Sequence, residues 1–373
     1  MTKPLFKLTV LILFFTQLAC AQQDKPLDMK MDFEEYDPPS SLKVDEHKLT
    51  KAKYPFIDIH NHFYGGMSKE ELEKRVKFMD QMNLAVMNNL SGRGFNNSSE
   101  TILTSLNNIK ETYPNRFTVF TNIDFTDIDS PDWGQRMAKQ VEDDVKAGAM
   151  GLKIYKNLGI RVADKSGKRV AVDDPRIDPV WAKCGELGIP VLIHAADPKQ
   201  FWDAIDKNNE RWLELKLHPN RRYEDKEVQW QQIIDEQHRM FKKHPKTKFI
   251  NAHLGWYGND LGKFSKMMDE MPNMYTEIGA VIAELGRQPR AAKAFLIKYQ
   301  DRVLFGKDSW VPEEYATYFR VLETEDEYFP YHKRYHAFWR MYGIGLPDDV
   351  LKKIYYKNAL KLLPKIDARA FPK

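Results

Sequence analysis

From Tyr54 onward the chain alternates short, strand-like apolar runs with longer amphipathic segments, and this repeat limits the fold more than any other feature of the sequence. The runs are Phe56 to His60, Leu84 to Asn88, Phe117 to Asn122, Met150 to Tyr155, Pro190 to His194, Lys248 to His253, Met274 to Ile278 and Arg302 to Phe305. Between them, Lys69 to Met82, Glu100 to Tyr113, Trp133 to Ala147, Asp178 to Leu187, Val228 to His244 and Pro289 to Tyr299 carry the period of helices buried on one face. Strands separated by helices pair in parallel, because the chain must cross over before it can re-enter the sheet. Eight such units predict an α/β fold, a closed (β/α)8 TIM barrel. The alternative, an open doubly wound sheet, wants a glycine-rich phosphate loop after an early strand, and Gly65-Gly66 lacks the third glycine and the helix-start spacing. Two stretches exceed the minimal barrel. A long aromatic-rich insertion follows strand 5, from Phe201 to Gln232, with Trp202, Trp212, Trp230 and Arg221-Arg222; its aromatics form either a hydrophobic cap or part of a binding wall. The C-terminal part, Tyr328 to Leu363, reads as extra helices.

In such a barrel the C-terminal strand ends form the active face. Strand 1 runs through Asp58 into His60-Asn61-His62, strand 5 ends in His194, strand 6 in His253 and strand 8 in Lys307-Asp308. By the alternation of strand side chains, Asp58, His60 and His62 share one face. Two such histidines taken alone are equally well read as half-buried residues bonded to backbone carbonyls. Four of the ten histidines fall at strand ends; His47, His218, His238, His244, His332 and His336 fall in loops or helices and read as ordinary surface or packing residues. Three imidazoles, His60, His62 and His194, with the Asp308 carboxylate can hold one borderline divalent ion and leave a position for water. Water on such an ion becomes acidic near neutral pH. His253 is expected beside the ion as a proton carrier or carbonyl polariser, with ligation as the competing role. Asp58, two residues deeper, suits a supporting hydrogen bond. Arg93, in Ser91-Gly92-Arg93-Gly94, is either a two-pronged clamp for a substrate carboxylate or a solvated loop residue. Lys153 sits in an otherwise apolar strand and is expected to be salt-bridged or substrate-facing, ahead of a carbamylated form bridging two metals.

The 373 residues suit one large globular domain, residues 54–373. The net charge of +4 contains no basic block, which removes the reason to expect a nucleic-acid partner; a small-molecule substrate is the expected one. Residues 1–21 read as a signal peptide, with Lys3 and Lys7 ahead of the apolar run Leu8 to Phe15 and a small-residue cleavage pattern at Ala19-Cys20-Ala21. Gln17-Leu18-Ala19-Cys20 also resembles a bacterial lipoprotein box, with its Leu one position late, so the protein is expected to be exported, either periplasmic or membrane-anchored through a lipid on Cys20. Residues 22–53, rich in Asp, Lys, Pro and Ser, read as a linker or N-terminal arm. The other cysteine, Cys184, reads as a small buried side chain on a helix.

Ile57-Asp58-Ile59-His60-Asn61-His62, Pro190-Val191-Leu192-Ile193-His194, His253-Leu254-Gly255 and Leu304-Phe305-Gly306-Lys307-Asp308, with the closing helix Leu351 to Leu363, resemble the amidohydrolase superfamily. Within it they are similar to the amidohydrolase-related branch that holds aminocarboxymuconate-semialdehyde decarboxylase, aromatic acid decarboxylases and some hydrolases and hydratases. The resemblance covers roughly Tyr54 to Leu363. It implies a single metal on His60, His62, His194 and Asp308, usually zinc and sometimes manganese, with His253 in catalysis and Arg93 in the place of a carboxylate-holding arginine. Lys307 departs from the small residue frequent before the aspartate, which bears on the polarity of the pocket. The expected function is a metal-dependent hydrolase acting on a small ester, lactone or amide, with Asp308 taking the proton of water and His253 stabilising the oxyanion. The alternatives are a decarboxylase or hydratase of a small carboxylic acid on the same site, and, from another class, a non-catalytic surface-binding lipoprotein.

Overall fold

The computed structural model describes residues 27–224 and 228–372. The chain divides into two units, residues 1–43 and 44–373. In the first, the described residues are exposed and make one turn, in which Asp32 O accepts from Glu35 N at 3.0 Å. The expected signal segment, with Cys20, lies outside the described residues. Residues 44–53 of the expected arm belong to the second unit, where Asp326 accepts from the backbone N–H of His47 at 2.8 Å.

Eight strands make the second unit's sheet: β1 (Phe56–Asn61), β2 (Leu84–Asn89), β3 (Phe117–Thr121), β4 (Gly151–Ile154), β5 (Val191–Ile193), β6 (Phe249–Asn251), β7 (Met274–Glu277) and β8 (Val303–Leu304). They pair in parallel in sequence order. Backbone bonds bring the two edges together: Phe305 O accepts from Ile59 N at 3.1 Å and His60 O from Asp308 N at 2.7 Å. The strands fall within two residues of the runs read from the sequence. Every residue of β1, β3 and β4 is buried, as expected for parallel strands covered on both faces.

Around the sheet lie α1 (Lys69–Met82), α2 (Ser99–Thr112), α3 (Trp133–Ala147), α4 (Asp178–Leu187), α5 (Trp212–Leu217), α6 (Trp230–Lys243), α7 (Leu261–Glu270), α8 (Ile282–Gly286), α9 (Pro289–Lys298), α10 (Tyr315–Glu323), α11 (Asp348–Lys352) and α12 (Asn358–Leu362). α1 shows why they form where they do. Ser68 caps its first turn by accepting from Glu71 N, Leu72, Val76 and Met79 put one apolar stripe on the sheet, and Asn83 ends it with φ 69°. Cys184 is buried in α4, as read from the sequence.

Two expectations need correcting. The C-terminal part is not helical throughout: a short antiparallel ribbon, β9 (Phe329–Pro330) with β10 (Arg340–Met341), precedes α11. Pro330, Gly343, Gly345 and Pro347 interrupt helical periodicity there, and a Cβ on Gly343 would stand 2.1 Å from Thr324 O. α10, absent from the sequence reading, carries Tyr315, Tyr318 and Phe319 onto Phe56 and Phe305 at the barrel's seam. In the insertion after β5, Trp202 and Trp230 are buried and donate to Val228 O and Asp197 O, so both indoles pack as a cap.

Candidate metal centre

The strand ends depart from regular backbone where the polar residues cluster. The β1–β2 register shifts between Asp58 and Asn61, which breaks the simple alternation of side chains. Asp58 takes the supporting role expected of it rather than facing the metal side with the histidines. Its Oδ2 accepts from Asn61 Nδ2 at 3.0 Å and from Tyr315 Oη at 2.6 Å, and its Oδ1 accepts from the backbone N–H groups of His60 and Lys307, both at 3.1 Å. It thus fixes the two chain segments that carry His60 and Asp308. After β6 the backbone turns left-handed at His253 (φ 58°), Leu254 (52°) and Gly255 (56°), and after β8 at Asp308 (80°). Each such non-glycine residue costs roughly 1–3 kcal/mol and persists where its surroundings hold it, most often at functional sites.

What holds His253 is a residue outside the set expected from the sequence. Glu277, the last residue of β7, is fully buried; its Oε1 accepts from His253 N at 2.7 Å and from His60 Nδ1 at 3.0 Å, and its Oε2 accepts from Gly279 N. The strand-end criterion applied to β7 would have found it. The Nδ1 atoms of His253 and His62 are engaged as well. His253 Nδ1 donates to Gly279 O at 2.8 Å, and His62 Nδ1 lies 2.7 Å from Ser91 Oγ. The carboxylate at His60 and the carbonyl at His253 each require an Nδ1–H, so a neutral ring there presents Nε2 as an electron-pair donor.

Those Nε2 atoms converge. His60 Nε2 lies 3.1 Å and His62 Nε2 3.6 Å from Asp308 Oδ1, and the His60 and His253 rings are 4.9 Å apart. The Nε2 atoms of His60, His194 and His253 are buried with no hydrogen-bond partner. An imidazole nitrogen facing a carboxylate oxygen places two electron pairs against each other unless a cation lies between them, a proton or a metal ion. Two groups of donor atoms within 4.8 Å of one another meet at His60: His60, His62 and Asp308, and His60, His253 and Glu277. Glu277 already accepts three hydrogen bonds, so the first group fits a metal better. His194 belongs to neither group: its ring lies 4.5 Å from that of His253, and its Nε2 3.5 Å from Asp197 Oδ1.

Burial and Lys153 oppose protonation of His60, but Glu277 and Asp308 outweigh them and raise its pKa, so the nitrogen facing Asp308 holds a proton wherever no metal ion takes that place. Burial pushes the His62 pKa down to about 4, and burial with the nearby His253 pushes His194 to about 3, so both rings are neutral at pH 7. Burial opposes ionisation of Glu277, but His60 and His253 outweigh it and hold its pKa at about 2. Asp308 is held well below the usual carboxylate range, chiefly by His60 and His62 against the cost of burial.

The remaining residues separate cleanly. Arg93 is neither a solvated loop residue nor a free clamp. It is 7% exposed, its Nε and Nη2 donate to the two Asp144 oxygens at 2.9 and 3.2 Å, and its Nη1 donates to Asn97 O at 3.1 Å. The fork that would grip a substrate carboxylate is spent on α3. Lys307 donates to Glu314 Oε2 at 2.5 Å and to Ser309, so the residue before Asp308 is neutralised within its own loop. Lys153 is 1% exposed and its Nζ has no hydrogen-bond partner; burial lowers its pKa to about 8, against the attraction of Asp308 and Glu277. Of the six remaining histidines, His47 binds Asp326, His244 binds Asp178 and His332 meets Thr317.

A family model described as an amidohydrolase matches residues 123–365, a span that contains His194, His253, Glu277 and Asp308. Among curated proteins no sequence matches. Solved structures share the fold. 2,6-Dihydroxybenzoate decarboxylase from Rhizobium is 15% identical with a TM-score of 0.53, over 83% of this chain and 99% of that one. A dihydroxybenzoic acid decarboxylase from Polaromonas sp. JS666, with bound manganese and the inhibitor 2-nitroresorcinol, is 15% identical with a TM-score of 0.55, over 85% and 99%. 4-Oxalomesaconate hydratase from Rhodopseudomonas palustris is 15% identical with a TM-score of 0.51, over 84% and 97%.

Proposed function

This chain belongs to the amidohydrolase family of enzymes, and from that premise we propose that it is a metal-dependent hydrolase of a small ester, lactone or amide. The observation that carries the proposal is the convergence of the His60 and His62 Nε2 atoms on Asp308 Oδ1, at 3.1 and 3.6 Å. His60, His62 and Asp308 would hold one divalent ion, zinc by the nature of the donor set with manganese as the other choice, and His194 would complete the set from β5. Such an ion, when bound, supplies Lewis acidity toward a carbonyl and acidifies water.

The chain's own residues supply the proton path. The Asp308 side chain is 37% exposed, which leaves its carboxylate open to take the proton of an attacking water. His253, neutral through burial and donating Nδ1–H to Gly279, offers a basic Nε2. That atom accepts a proton and returns it to the leaving group, which favours the proton-carrier role over the oxyanion-stabilising one, both expected from the sequence. Decarboxylation or hydration of a small carboxylic acid is the second reading, favoured by the buried, unpaired ammonium of Lys153 and opposed by the commitment of Arg93 to Asp144. A non-catalytic binding lipoprotein leaves the strained backbone at His253 and Asp308 without a purpose.

The test assays the purified chain on esters, lactones, amides and carboxylic acids, with detection of carbon dioxide. Hydrolysis that disappears on chelation and in D308N is expected. Carbon dioxide release without carbonyl cleavage would overturn the hydrolase, and failure to bind about one equivalent of zinc or manganese would overturn the metal site. H194A should weaken binding of the metal less than H60A does, since His194 stands outside the donor group of His60, His62 and Asp308. We also propose export, with Cys20 as the lipid anchor, on the sequence Met1 to Ala21; fractionation of wild type and C20S tests it, and a cytoplasmic protein would reject it.

A further inference from the structure

A cavity of about 410 Å³ lies over the C-terminal ends of β3 and β4 and the loop after β2, within the size range of small-molecule sites. Phe95, Ile123, Phe125, Leu158 and Val162 give it apolar walls, and Lys153 also lines it. An aromatic column joins its rim to the metal centre. The Phe95 ring stacks on Tyr64 at 5.0 Å, and Tyr64 stacks on His62 at 4.9 Å with the planes 2° apart. Tyr155, also in the cavity wall, lies 5.9 Å from the His62 ring. Phe95 is 78% exposed, an uncovered aromatic face at the entrance.

The one cationic group in this wall is Lys153, whose Nζ is buried without a hydrogen-bond partner, 5.7 Å from the centre of the Tyr155 ring. The carboxylates that attract it are engaged elsewhere: Glu277 accepts three hydrogen bonds, and Asp308 faces His60 and His62. Lys156, which repels it, is paired with Asp197 Oδ2 at 2.6 Å. Asp124, the carboxylate at the cavity rim, is exposed and accepts from Thr126 N and Oγ1 at 3.0 and 2.7 Å. A buried ammonium without a hydrogen-bonded counter-charge is costly unless a ligand supplies one.

We infer that the substrate's body occupies this cavity and that Lys153 receives an anionic oxygen of it, so that the enzyme selects small, largely apolar anions over their neutral counterparts. This rests on the reading of the strand-end cluster as the reacting centre, and it moves recognition of the anion from Arg93 to Lys153.

The probes are phenylacetate and its neutral amide of nearly equal shape, phenylacetamide, titrated into the full chain by NMR or calorimetry in both metal-depleted and zinc-loaded protein. Phenylacetate should bind at least tenfold more tightly than the amide in both forms, and K153M should erase that preference. V162W, which fills the cavity from another of its lining residues, should weaken both probes tenfold or more and keeps the inference testable if K153M does not fold. Equal binding of the two probes, a preference that survives K153M, a preference found only in the zinc-loaded form, or V162W binding both probes as wild type does would each overturn it. A Lys153-dependent preference in a protein that binds no metal would reject the hydrolase and leave the anion site standing.

Discussion

Glu277 and His60 form a fully buried pair across the barrel mouth, Oε1 to Nδ1 at 3.0 Å, although 217 residues separate them in the chain. The carboxylate fixes the tautomer of the ring and so decides which nitrogen His60 presents to Asp308. Through its second contact, to His253 N, it also holds the left-handed turn that carries the other reactive imidazole.

Glu277→Gln should therefore act on metal affinity before it acts on the fold. Partners of this kind are worth about 10–100-fold in affinity, and the amide, with a donor where the carboxylate has only acceptors, cannot reproduce all three contacts. Competition titration against a chelator, with circular dichroism as the control for folding, reads the effect. Wild-type affinity in the variant would remove Glu277 from the site.

Gly306→Ala probes the same carboxylate by volume alone. A Cβ there would meet Glu277 Oε2 at 2.3 Å and the His60 Cβ at 3.0 Å. The expected outcome is a fall in metal affinity of tenfold or more with retained secondary structure, since the pressed group is the Glu277 side chain and not backbone. An unchanged titration curve would show that the carboxylate has room to move.

Arg93 and Asp144 should behave as a structural pair. Removing one member leaves a buried charge uncompensated, and Arg93→Met should lower unfolding free energy by about 3–5 kcal/mol in urea, whereas the double variant with Asp144→Leu should recover part of that. Selective loss of carboxylate binding at unchanged stability would restore Arg93 as a clamp.

His238 gives a pH dependence away from the metal centre. Burial lowers its pKa to about 4 from the ordinary value of 6.5. The folded state therefore binds its proton more weakly than the unfolded chain does: the stability is fully present above about pH 6.5 and is lost as the pH falls toward 4. A shift of this size corresponds to at most about 3 kcal/mol. His238→Phe should reduce the fall in Tm between pH 7 and 4.5, with part of the slope remaining because burial lowers the His332 and His336 pKa values in the same direction. A slope identical to wild type would show that His238 does not titrate in that window.

The sequence by itself determined the barrel and most of its mouth. Helix and strand periods are local properties, readable within a dozen residues, and eight alternations leave few ways to bury every apolar face. The rule that polar residues at strand ends share one face named His60, His62, His194 and Asp308 with His253 beside them; the structure brings His60, His62 and Asp308 together and sets His194 against His253. Tertiary structure alone decided the partners. Asp58 has the supporting role read from the sequence, but its partners Asn61 and Tyr315 are supplied by the fold. Arg93 met Asp144 from α3, and Lys153 was left buried without a counter-charge. Ion pairs and hydrogen bonds depend on separation in space and on exclusion of water, and neither is a function of distance along the chain.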